Sequence, residues 1–183
     1  MEEIKDRLSE YKYNFLNNLQ NYIGDKLIFY GSIKRADFFQ NSSDIDIAII
    51  TDNVESLLHK IQNYLHIDKT NIKQIYQHFN IYDTIIVSGH KIKYQDNNIT
   101  FDLLIYDKKY MEPVMKNIND INILPSYMII ILYILKTLYY NLYLIPTSSF
   151  IYLKNCIFHM YFNKEITIYN KNKMSTIILN KFY

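Results

Sequence analysis

Two short segments constrain this chain more than any others. Tyr30-Gly31-Ser32 closes one apolar run, and after eleven residues Asp44-Ile45-Asp46-Ile47 opens another. Side chains two apart on a strand share a face, so Asp44 and Asp46 project together while Ile45 and Ile47 point into a core. Two carboxylates this close repel unless a cation compensates them, and Mg²⁺, with its preference for carboxylate and phosphate oxygens, suits the pair. Taken alone, the pair also reads as a solvated strand face. Gly31 lets the backbone approach a phosphate closely, and Ser32 offers an amide and a hydroxyl, above all where a helix follows. Taken alone, this half reads as an ordinary turn. Together, at this spacing, the halves point to a site for a metal-bound triphosphate.

The chain has 183 residues, 49% of them hydrophobic and 21% charged, with three Gly and three Pro, so a globular fold with a real core is expected. The balance of 20 Lys and Arg against 18 Asp and Glu gives no strong attraction to a polyanion, so nucleic acid is not indicated as a partner. Cys156 is the sole cysteine, which excludes a disulfide framework and a Cys pair on a metal. The start Met1-Glu2-Glu3-Ile4-Lys5-Asp6 lacks the basic and apolar pattern of a secretory signal, and a cytoplasmic location is expected. Residues 127–145 are apolar enough to raise a membrane question. Lys136 and Asn141 lie inside this run and no basic flank orients it, so a buried or interface helix is the expectation. His59, His66, His78, His90 and His159 show no metal-ligand spacing.

Apolar residues at steps of three and four predict an amphipathic helix over 3–23, ended by Gly24. Strands are predicted over 26–30 and 44–51, then a helix from Asp52-Asn53 to Leu65. Weaker strand patterns cover 71–76 and 82–88, and a hairpin joins 91–94 to 99–106 through a polar turn. Helices are predicted over 109–118, 126–144 and 149–162, with the tail from Asn163 part strand or loosely ordered. This is an α+β domain, a mixed sheet with flanking helices over 1–118, carrying a helical carboxyl-terminal extension over 119–183. Asp102 is the only acid inside the apolar stretch Ile99-Thr100-Phe101-Asp102-Leu103-Leu104-Ile105, a costly placement unless a site needs it or a local partner holds it.

In Tyr30-Gly31-Ser32 and Asp44-Ile45-Asp46-Ile47 the sequence resembles the nucleotidyltransferases of the DNA polymerase β superfamily. Their motif is an apolar residue, Gly, Gly or Ser, a spacer of about ten, then Asp, apolar, Asp or Glu, apolar. Gly31-Ser32-Ile33-Lys34-Arg35 with Ser43-Asp44-Ile45-Asp46 looks most like the minimal nucleotidyltransferases of bacteria and archaea and their stand-alone relatives in large DNA viruses. The match covers residues 26–51. It departs from that pattern at Ala36, where the minimal enzymes usually carry Gly. Beyond Asp102 no poly(A), CCA-adding or lesion-bypass module and no helix-hairpin-helix glycine pattern is recognisable.

The resemblance implies a polymerase β-like fold and an enzyme of the nucleotidyltransferase class (EC 2.7.7 type). Such an enzyme moves a nucleoside monophosphate from an NTP, ATP favoured, to a hydroxyl acceptor and releases pyrophosphate. It implies that Asp44, Asp46 and Asp102 bind two Mg²⁺, with Mn²⁺ as the alternative, and that Asp102 also helps activate the acceptor. Gly31 and Ser32 would hold the triphosphate, with Arg35, Ser43 and Lys136 as further contacts. The acceptor expected first is a protein side chain or a small molecule. An RNA or DNA terminal transferase, or a catalytically silent nucleotide- or partner-binding module, is the alternative. The apolar carboxyl-terminal helices are compatible with a dimer or complex.

Overall fold

The computed structural model describes residues 1–81, 83–162, 166–170 and 177–179. A 3₁₀ segment Glu2–Arg7 precedes helix α1 (Glu10–Ile23). The apolar spacing runs through both, but the chain breaks at Leu8, which is extended at φ −110° and ψ 151°. The break has a local cause: Ser9 caps α1, its hydroxyl accepting the Lys12 N–H at 3.4 Å. Gly24 ends α1 in the left-handed conformation at φ +82°. Strand β1 (Ile28–Tyr30), strand β2 (Ile45–Thr51) and helix α2 (Val54–Leu65) follow, and Asn53 caps α2 by accepting the Ser56 N–H at 3.0 Å.

Strands β3 (Ile72–Ile81) and β4 (Asp83–Gln95) are longer than the sequence pattern predicts, and β5 (Thr100–Asp107) keeps the predicted length. The expected gap around Ser88-Gly89-His90 is continuous strand. Gly89 sits there because a ring lies over it: a β-carbon would stand 2.7 Å from Tyr106 Cδ1 and 2.8 Å from the Ile105 carbonyl oxygen. A glycine inside a strand marks close approach here, not a turn. Helices α3 (Met111–Asn122), α4 (Ser126–Lys136) and α5 (Thr147–Phe162) come next, then strands β6 (Ile166–Asn170) and β7 (Ile177–Leu179). Helix α3 runs through position 118, and β6 returns the chain to the sheet beside β3.

The seven strands run in the order β1-β2-β5-β4-β3-β6-β7, and every neighbouring pair is antiparallel except β2 and β5. One face of the central pair carries Ile45, Ile47, Ile49, Phe101, Leu103 and Ile105, all fully buried. They cluster with Leu16, Leu19 and Ile23 of α1 and Leu57 and Ile61 of α2. Each such side chain contributes roughly 1.5–3 kcal/mol relative to exposure, which makes this the principal core. On the other face Ala48, Val87 and Tyr106 pack under Val114 and Ile118 of α3. The acidic ends of β2 and β5 lie outside that second cluster.

The apolar run at 127–145 does not form one helix. Helix α4 gives way to a π-turn at Thr137–Asn141, and Tyr143 ends the segment with φ +53°. In that widened turn the rings of Tyr139 and Tyr140 both reach Phe150 of α5, with centroids 4.2 and 5.8 Å away. Met128, Leu132 and Leu135 are buried while Ile130, Ile131 and Ile134 are exposed, so α4 is covered on one side only. Among the described residues no single helix is long and apolar enough to cross a membrane.

Gly89→Ala tests the ring contact. The added methyl group meets backbone as well as the Tyr106 ring, and urea unfolding is expected to show a loss of about 1–3 kcal/mol.

Candidate active site

The site is built by strand register. Asp46 in β2 stands opposite Asp102 in β5, and Asp44, two residues before Asp46, shares their face. Their neighbours Ile45, Ile47, Phe101 and Leu103 are driven into the core, which commits the acids to the opposite side. The Asp44 side chain is 52% exposed and that of Asp102 17%. Burial, together with the negative charges of Asp102 and Asp44, pushes the Asp46 carboxyl up to about 6, against the opposing charges of Lys154 and Lys91. Tyr30, in register with Asp46 on β1, is pushed well above the usual phenol range, first by burial and then by Asp46.

Gly31 follows directly and adopts φ +73°. A β-carbon there would lie 2.6 Å from Asp46 Oδ2, so glycine serves both the backbone turn and the space for the carboxylate. The Gly31 N–H donates to Asn122 Oδ1 at 2.9 Å. Gly31–Lys34 make a single 3₁₀ turn. Ser32 is buried to 8% exposure, and its hydroxyl makes no hydrogen bond to a described residue. Ser43 closes the turn before Asp44: its hydroxyl accepts the Phe39 N–H at 3.1 Å, and its own N–H donates to the Phe39 carbonyl at 2.8 Å.

Arg35 and Lys136, expected at the triphosphate, both turn to Asp37. Arg35 Nε and a terminal nitrogen donate to the two Asp37 oxygens at 2.8 and 3.2 Å, and the other terminal nitrogen donates to the Ile121 carbonyl at 2.9 Å. Lys136 Nζ donates to Asp37 Oδ2 at 3.0 Å and to its carbonyl at 2.7 Å. Burial alone would raise the Asp37 carboxyl, but the two cations hold it below its ordinary value. The arrangement has a plain physical reason: a fully buried carboxylate must be compensated, and Arg35 and Lys136 lie nearest to it. The result ties the end of α4 to the segment that leaves the Gly31 turn.

Three other lysines face the acids. Lys91 Nζ lies 2.5 Å from Asp102 Oδ2, Lys93 Nζ lies 4.0 Å from Asp44 Oδ2, and Lys154 on α5 is the strongest opposing charge at Asp46. None of these is among the residues singled out from the sequence. The signals are there: Lys91-Ile92-Lys93 alternates with period two in the arm that pairs with the Asp102 strand, and Lys154 is the only Lys, Arg, Asp or Glu in α5. Beside Asp44 stands an aromatic wall. Phe39 meets Tyr133 at 5.2 Å and Tyr140 at 6.0 Å, and burial followed by the Asp44 charge pushes the Tyr140 hydroxyl up to about 12.

Asp44, Asp46 and Asp102 are donors suited to a divalent cation, and Asp102 Oδ1 is buried without a hydrogen-bond partner, as an unused ligand atom would be. The three side chains are nonetheless not gathered: among the described residues no three His, Cys, Asp or Glu groups surround one metal-sized point. Asp102 is drawn toward Lys91 instead.

Residues 4–111 match the protein family described as "Nucleotidyltransferase domain". A chain in the solved structure of the GLD-2/RNP-8 complex is similar to this one, at 17% identity and a TM-score of 0.33 over 66% of this chain. The present chain spans 51% of that chain's length. No curated protein matches the sequence.

Two outcomes follow from the geometry. Gly31→Ala, which adds a side chain at positive φ against Asp46, is expected to cost about 1–2 kcal/mol in urea unfolding from the backbone conformation alone. The Asp46 proton gives a second test. Its folded carboxyl sits at about 6 against an ordinary 3.8, so between these values the folded state holds a proton that the unfolded state lacks. Stability conferred by that proton is present at low pH and lost as pH rises through about 6. Asp46→Asn is therefore expected to flatten that loss relative to wild type when both are unfolded in EDTA across this window.

Proposed function

The chain belongs to the nucleotidyltransferase domain family, and we propose that it transfers a nucleoside monophosphate from a nucleoside triphosphate, ATP first, to a hydroxyl acceptor with release of pyrophosphate. The observation that carries the reading is the register of Asp46 against Asp102, with Asp44 on the same face beside the Gly31 turn. Asp44, Asp46 and Asp102 would hold the divalent metal, Mg²⁺ or Mn²⁺. Bound there, two ions would supply charge neutralisation at the reacting phosphate and at both oxygens of an in-line displacement.

The chain's own groups have distinct tasks. Gly31 keeps the backbone clear of Asp46, and the Ser32 hydroxyl, which has no hydrogen-bond partner among the described residues, is available to a phosphate. Lys154, whose charge acts on Asp46, would meet a phosphate there, while Lys136 is committed to Asp37. Arg35 and Lys136 contribute by holding α4 against the segment after the turn. Ser43 shapes the approach to Asp44. Asp102 is the carboxylate assigned to the acceptor hydroxyl. The acceptor is a protein side chain or small molecule, a reading supported by a net charge of only +2.

Incubation with labelled ATP, Mg²⁺ and candidate acceptors, followed by separation of labelled product, tests the assignment. Asp44→Asn and Asp46→Asn are each expected to abolish transfer with the fold retained. Mg²⁺ and ATP should also raise the melting temperature of the wild type and not of these variants. Transfer that survives both substitutions would overturn the reading.

A further inference from the structure

Two carboxylates of the acid face have a lysine within ion-pair distance, Asp102 with Lys91 and Asp44 with Lys93, and the two pairs differ in how they are made. Strand β4 places Lys93 opposite Asp102 and Lys91 opposite Leu104, so both lysines share the face of the acids. Lys93 is loosely set, 59% exposed and 4.0 Å from Asp44 Oδ2. Lys154 acts on Asp46 from α5. Lys91 alone makes a close pair: its ammonium reaches along the strand to Asp102 Oδ2 at 2.5 Å.

That pair leaves Asp102 half used. One oxygen is taken by Lys91, and the other is buried with no partner. The arrangement satisfies the charge of Asp102 without satisfying its hydrogen-bonding capacity, a state that a bound cation would complete. The ammonium groups of Lys91 and Lys93 beside the carboxylates also weaken the field that would draw a divalent ion to the site. The Lys91 side chain is 36% exposed on a flexible four-carbon stem, so moving its ammonium from a carboxylate to a phosphate costs little.

We propose that Lys91 is a tethered counter-ion that competes with the divalent cation for Asp102, so that metal fills the acid face only when an anionic triphosphate draws the lysine away. The proposal rests on the transferase reading for the identity of the anion. It adds to that reading an order of events: metal and nucleotide enter together, and metal alone is held weakly.

The test is Mn²⁺ binding to the full chain, read from the electron paramagnetic resonance signal of free Mn²⁺, with and without a non-hydrolysable ATP analogue. Lys91→Gln and Lys91→Met remove the ammonium, and Lys91→Arg keeps the charge. Without nucleotide, the Gln and Met variants are expected to bind Mn²⁺ about tenfold more tightly than wild type or Lys91→Arg. Adding Asp102→Asn to Lys91→Gln should remove the gain, and the analogue should bring wild type to the level of the variants. Thermal unfolding verifies that each variant is folded. Equal Mn²⁺ affinity of wild type and both neutral variants without nucleotide overturns the proposal. If the analogue still promotes Mn²⁺ binding in that case, the transferase reading stands. Failure of every protein to bind Mn²⁺ in either condition overturns both.

Discussion

The parallel pairing of β2 with β5 puts Asp46 opposite Asp102 and, through that register, places both the core and the acid face. Strand side chains alternate, so a slip of one residue in either strand would move isoleucines into water and carboxylates into the core. The slip is prevented from both sides. Ile45, Ile47 and Ile49 with Phe101, Leu103 and Ile105 are held under α1 and α2, while Ala48 and Tyr106 are held under α3. Because α3 covers only part of its face, the same register that completes the core also leaves the acidic strand ends available. Core and site are two consequences of one alternation.

Charge is handled in two different ways on the two sides of the Gly31 turn. Around Asp37 it is closed: Arg35 and Lys136 supply several hydrogen bonds, and the carboxylate has no exposure to water. Desolvation makes such a cluster an uncertain source of stability, but it specifies geometry, because breaking any part strands a buried charge. Here it ties the end of α4 to the segment that follows the Gly31 turn. Around Asp44, Asp46 and Asp102 charge is left open. The lysines there are half-exposed or loosely set, one carboxylate oxygen has no partner, and Asp46 is raised by burial among like charges. Closed clusters build scaffolds; open ones retain the capacity to exchange partners.

The parts of the site that are legible in the sequence are those carried by local pattern. Gly31-Ser32 and Asp44-Ile45-Asp46 lie within a short span, and Asp102 stands out as a lone acid in an apolar strand. Lys136 stands out for the same kind of reason, as a lone charge in an apolar helix, yet its partner is Asp37, 99 residues away. Oddity of placement shows that a charge has a partner without showing which. Lys154 carries the same mark in α5, and Lys91 carries a period-two mark in β4, but each gains its meaning only from the strand or helix brought alongside. Local chemistry likewise divides the amino-terminal helical pattern at Ser9, where a capping hydroxyl outweighs continuous apolar spacing. Gly89 looks like a break and is instead the space for the Tyr106 ring, a neighbour supplied by another strand.

Legible in the sequence alone is the alternation: which residues of β2 and of β5 face a core, that Asp44 and Asp46 share the other side of their strand, and that Gly31 frees the turn before them. These follow from the period of a strand and from the steric freedom of one residue, both local properties. Arg35 meets Asp37 two residues away, a local contact, but Lys136 reaches Asp37 across 99 residues and Lys91 reaches Asp102 through the pairing of β4 with β5, and those partners depend on packing that no local pattern carries.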